Sequence, residues 1–83
     1  MARIVLFASI REELGSEMLD VALPEDTPLS KLIRALAQER GENWQTVLTA
    51  ENVRVAVNQE LTIGDVTVSD TDEIAFFPPV TGG

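Results

Sequence analysis

The chain has 83 residues, enough for one domain in which a layer of helix packs on a sheet, and 45% hydrophobic against 24% charged residues is the balance of a folded domain. Fourteen acidic residues against six basic ones leave a net charge of −8, which disfavours nucleic acid and anionic membranes as partners and favours a basic protein surface. With no Cys and no His, disulfides, thiolate zinc sites, Cys nucleophiles and imidazole acid–base chemistry are excluded, and no metal site is expected.

Residues 3–8 (RIVLFA) are β-branched and aromatic with little polarity, which predicts a central strand buried on both faces. Residues 9–17 (SIREELGSE) read as a loop. From Met18 to Leu23 the chain alternates, with Leu19, Val21 and Leu23 on one side and Asp20 on the other, so a half-buried strand pairs with the first as a hairpin. Pro24 ends it. The stretch EDTPLSKLIRALAQERG then predicts a helix with Thr27 as N-cap, Pro28 at its first position and Gly41 past its last turn. Leu29, Leu32, Ile33 and Leu36 fall on one stripe that packs on the sheet, leaving Lys31, Arg34, Glu39 and Arg40 in water. Lys31 is the only lysine, so Schiff-base chemistry would rest on a residue whose ordinary role there is surface substitution.

Residues 42–50 (ENWQTVLTA) fit one irregular helical turn in which Trp44, Val47 and Leu48 cover the edge of the core. In NVRVAVN (52–58) Val53, Val55 and Val57 share a face, as in a strand. Residues 59–72 are turn-rich, with at most a short strand around 66–68, and EIAFF (73–77) is the last strand. This pattern predicts an α+β domain, a helix across one face of a mixed sheet. No apolar run approaches the roughly 20 residues that span a bilayer, and MARIVLFASI lacks a signal-peptide cleavage pattern, so a cytoplasmic protein is expected.

The end of the chain, FFPPVTGG, is ordered in a way that a frayed terminus does not need. Alternation along residues 73–77 puts Ile74 and Phe76 in the core and Phe77 on the opposite face. There Phe77 is either an exposed anchor for a partner or a ring packed beneath a loop. Pro78 and Pro79 have no N–H to continue a ladder, so the chain is steered outward, and the six residues from Pro78 to Gly83 reach on the order of 20 Å. Gly82 and Gly83 lack side chains and suit a narrow channel.

On the stretches VLFASIREELG, VAVNQE and DTDEIAFFPPVTGG, the chain resembles end to end the small, sulfur-carrying subunits of molybdopterin synthase, members of the ubiquitin-like β-grasp proteins. The family often has glycine where this chain has Thr71, in the turn before the last strand. The resemblance implies a β-grasp domain over residues 1–77 and an extended, flexible tail over 78–83. It implies that an activating enzyme uses ATP and Mg²⁺ to adenylate Gly83, that sulfur replaces AMP, and that the thiocarboxylate enters the large subunit to donate sulfur to a cyclic pyranopterin precursor. No cofactor would be resident. Catalytic side chains would lie mainly on the large subunit, in a heterotetramer of two small and two large subunits. Gly82 and Gly83 would be the reacting end, and Phe77, Pro78, Pro79, Val80, Thr81 and Arg11 would meet the partner. Arg11 also has the simpler reading of an exposed surface arginine. Three other functions share these features: a sulfur carrier for thiazole or cysteine synthesis, a protein modifier joined through Gly83 to a target lysine, and a module whose carboxylate is merely captured by a partner.

Overall fold

A computed structural model describes residues 1–78 of the chain. Strand β1 (Ala2–Leu6) leads into helix α1 (Ala8–Leu14), then β2 (Met18–Val21), a two-residue strand β3 (Thr27–Pro28), helices α2 (Leu29–Arg40) and α3 (Glu42–Leu48), β4 (Arg54–Val57), the short β5 (Glu60–Leu61) and β6 (Thr67–Val68), and finally β7 (Glu73–Phe77). Five strands form one sheet in the order β2-β1-β7-β4-β5, with β1 and β7 parallel and the other pairs antiparallel; β3 and β6 pair separately. The mixed sheet with a helix across it is the expected architecture, with three helices where one was clear from the sequence.

All three helices contribute to one core. Ile4, Leu6, Ile74 and Phe76 from the sheet meet Ile10 of α1, Leu29, Leu32, Ile33 and Leu36 of α2, and Trp44 and Leu48 of α3. The stripe expected on α2 is therefore the buried one, and Lys31, Arg34, Glu39 and Arg40 are exposed. Residues 42–48 make a full helix rather than one irregular turn. Trp44 lies within the core, with the Arg40 guanidinium 5.3 Å from its ring centre.

Four sequence expectations change. First, β1 is internal but buried on one face only: Arg3 is exposed and Val5 half-buried, because the helices cover a single side of the sheet. The strand also ends at Leu6. Second, residues 8–14 are helical rather than a loop, with Ile10 and Leu14 four apart on the inner side and Gly15, at φ +70°, donating its N–H to the Arg11 carbonyl to end the helix. Third, β2 stops at Val21, and the buried Leu23 instead donates its N–H to Asp70. Fourth, Thr27 does not cap α2. Its hydroxyl turns back to the Glu25 carbonyl, Pro28 takes the cap position, and Asp65, 35 residues downstream, accepts both the N–H and the hydroxyl of Ser30 (2.7 and 2.6 Å).

The strand found at β5 follows a turn in which Asn58 and Gln59 both have positive φ (51° and 71°), the geometry of a two-residue hairpin. In the turn before β7, Asp72 binds the Asn58 amide and the Ser69 N–H, and Thr71 is outside the left-handed region, so this turn does not require glycine.

Asp65, Asp70 and Asp72 all have carboxyl pKa values below the ordinary range, mainly from the hydrogen bonds of Ser30, of the Leu23 N–H and of Asn58 respectively. A depressed folded-state pKa means that the unfolded chain binds more protons as pH falls, so the stability these groups contribute is complete above about pH 4 and lost below it. Replacing Asp65 by Ala, which removes the acceptor for Ser30, is expected to lower Tm by about 5 °C at neutral pH and to shrink the acid-induced loss, measured by Trp44 fluorescence in thermal melts from pH 7 to pH 2.

Candidate functional site

The last residues of the sequence follow β7, which is the middle strand of the sheet. Arg3, Ile4, Val5 and Leu6 lie beside Glu73, Ile74, Ala75 and Phe76 on one side, and Arg54 to Val57 pair with Phe77 to Ile74 on the other. Side chains alternate as the sequence implies: Ile74 and Phe76 are fully enclosed, whereas Glu73, Ala75 and Phe77 are half-buried. Phe77 is not in the core cluster. Nor does it stand free, because its ring meets Phe7 edge to face, with centroids 6.4 Å apart and planes at 80°.

Phe7 was expected inside a buried strand and is instead 46% exposed. Its N–H donates to the Phe76 carbonyl, one residue past the end of β1, and its own carbonyl accepts the N–H groups of Ile10 and Arg11. Between these bonds Ala8 has φ +51°, a left-handed conformation that costs a residue with a Cβ about 1–2 kcal/mol. The turn swings the chain off the sheet into α1 and leaves the Phe7 ring beside the root of the tail. Strand propensity hides such a reversal, since Phe and Ala continue the apolar run without a break.

Arg11 is exposed on α1 and belongs to neither ion pair among the described residues. Pro78 forms one wall of a groove of about 340 Å³ between α1 and α3. Pro79, Val80, Thr81, Gly82 and Gly83 lie outside the described residues.

The side of the sheet away from the helices carries an apolar row. The register places Met18, Val5, Ala75, Ala56 and Leu61 across five neighbouring strands, and its ends are open, with Met18 52% and Leu61 69% exposed. Arg3, bridged to Asp20 at 3.7 Å, borders this row. Among the described residues no charged or polar side chain is buried, no group of three or more acidic side chains is placed to hold a metal ion, and no helix is long and apolar enough to cross a membrane.

A five-stranded mixed sheet wrapped on one side by helices, with a glycine-terminated segment following its central strand, defines the ubiquitin-like β-grasp class. The ThiS family model matches residues 4–83, and the chain belongs to that family. It is similar to the molybdopterin synthase sulfur carrier subunits of Escherichia coli (strain K12), with 37% identity, and of Haemophilus influenzae, with 36%, in both cases over 100% of each chain. Among solved structures it is similar to SAMP1 from Haloferax volcanii, with a TM-score of 0.74 and 25% identity over 99% of this chain and 98% of that one.

The two adjacent phenylalanines of β7 should separate cleanly. Phe76→Ala is expected to cost about 3–5 kcal/mol, the range for emptying a fully buried aromatic site. Phe77→Ala should cost about 1–2 kcal/mol, since it loses an edge contact and partial burial. Urea unfolding followed by the buried Trp44 would measure both.

Proposed function

We propose that this chain is the sulfur-carrier subunit of molybdopterin synthase, with Gly83 as its reacting end. The observation that carries the reading is the launch of FFPPVTGG from the central strand, joined to full-length similarity to two sulfur carrier subunits. A carboxylate is a poor electrophile, because its charge repels nucleophiles and its oxide is a poor leaving group. Adenylation of Gly83 by ATP, with release of pyrophosphate, makes AMP the leaving group; hydrosulfide from a sulfur donor then attacks the acyl carbon and expels AMP, and loss of a proton leaves the thiocarboxylate. Transfer of that sulfur to the pyranopterin precursor returns Gly83 to a carboxylate once water or the product's oxygen supplies the replacement. Mg²⁺ and ATP belong to the activating enzyme, and acid–base groups to the large subunit.

The described residues support a docking role for the rest of the chain. The half-buried Phe77, the exposed Phe7 and the apolar row ending at Leu61 form one continuous side on which a large subunit could seat before the tail is threaded. Pro78 has no N–H with which to extend the pairing of β7, and in this reading Pro79, Val80 and Thr81 are partner-contacting residues and Gly82 accompanies Gly83 to the reaction. Arg11 sits at the edge of this contact. We place the assembly, two small and two large subunits, in the cytoplasm.

Incubation with ATP, a sulfur donor and the cognate activating enzyme should raise the intact mass by the replacement of one oxygen with sulfur, localised to Gly83 and consumed when large subunit and precursor are added. Removal of Gly83 should abolish the gain while leaving Tm unchanged. If the only adduct formed is an amide to a lysine of another protein, the modifier reading replaces this one; its support is the fold shared with SAMP1, a small archaeal modifier protein. Separately, Leu61→Glu is expected to weaken binding of the large subunit about tenfold with little change in Tm, because Leu61 is largely exposed and supports nothing beneath it.

A further inference from the structure

The groove walled by Pro78 lies on the helical side of the sheet, opposite the apolar row, and the carrier reading leaves it unused. Its lining is mixed: Ile10 of α1, Val47 of α3, Val53 at the entry to β4 and Pro78 supply apolar surface, and Thr46 and Asn52 add polar groups. Glu13 and Ser9 stand at its edge, and no lining side chain is basic. Ser9, Ile10 and Glu13 share one side of α1, which puts Arg11 on the other. Neither ion pair among the described residues involves Glu13, so its carboxylate has no internal counter-charge.

A partly apolar groove that includes a carboxylate outside both ion pairs, has polar acceptors beside it and has no basic lining residue suits a long aliphatic stem with a cationic head. We infer that this groove receives an arginine or lysine from the large subunit that takes up the tail, so that the partner grips the root of the tail from both sides of the sheet. The inference rests on the sulfur-carrier reading for the identity of the partner. Charge complementarity favours it, since the chain carries −8 overall, and so does position: Pro78 is both the wall of the groove and the residue from which the tail departs. An exposed acid on a short helix gains little by itself. Beside a channel that dehydrates the incoming stem, the same charge selects what enters.

The test is binding of the full chain to its purified large subunit, measured by calorimetry at low and at physiological salt, with Tm as a control for folding. Glu13→Gln should weaken binding about fivefold and Glu13→Lys more than about tenfold at low salt, with a shallower salt dependence and unchanged Tm. Glu39→Lys, an equal change of charge on the exposed side of α2, should alter binding by less than about twofold. Wild-type binding with indifferent Glu13 variants overturns the groove assignment alone. So does an equal loss from Glu39→Lys, which would make the effect one of net charge. Failure of the wild-type chain to bind the large subunit would instead overturn the carrier reading, and this inference with it.

Discussion

The pairing of β7 between β1 and β4 is the constraint on which the remainder of the molecule depends. Two ladders, one parallel and one antiparallel, hold the last strand in the middle of the sheet, and Ile74 and Phe76 project from it into the centre of the core. The helices pack on what this strand completes. Because the parallel pairing joins Arg3 to Glu73, nearly the whole chain must be gathered before it forms, a non-local closure of the kind that slows folding more than it weakens the product. In return, the segment beyond Phe77 starts from a strand paired on both sides. Pro78 has no N–H with which to continue the pairing.

The acidic character has two parts. Asp65, Asp70 and Asp72 use their carboxylates as internal clamps, taking backbone N–H groups from Ser30, Leu23 and Ser69, and Asp70 also meets the Met1 ammonium at 3.2 Å. The bonds to Ser30 and Leu23, with the Asn58 amide on Asp72, fasten the long connection between β5 and β7 to other parts of the chain, and together with the Ser30 hydroxyl on Asp65 they are the main causes of the depressed pKa values. The glutamates along α1 do no such work, and their charge is presented outward. Negative charge therefore organises the loops on one part of the molecule and remains available to a partner on another.

Much of this was legible in the sequence wherever a local period decided the outcome. The α2 stripe of Leu29, Leu32, Ile33 and Leu36 and the alternation that sends Phe76 inward and Phe77 outward both follow from the spacing of apolar residues. What spacing could not carry was any contact made across the chain. Thr27 has the chemistry of an N-cap, yet the capping group is Asp65, recruited from 35 residues away by the β3–β6 pairing. The seven-residue α1 was hidden by its polar length, although Ile10, Leu14 and Gly15 are the signals of a short amphipathic helix and its stop. At the candidate site, Phe77 was legible and Phe7 was not, since a left-handed Ala8 leaves no mark in a run of strand-forming residues.

A central last strand also makes the fold its own inspector. A molecule truncated before residue 73 lacks the strand that joins the β1–β2 pair to the β4–β5 pair, and with it Ile74 and Phe76 of the core. The native sheet therefore unites its two halves only once the chain has been made as far as Phe77, so its completion marks that synthesis has come that far.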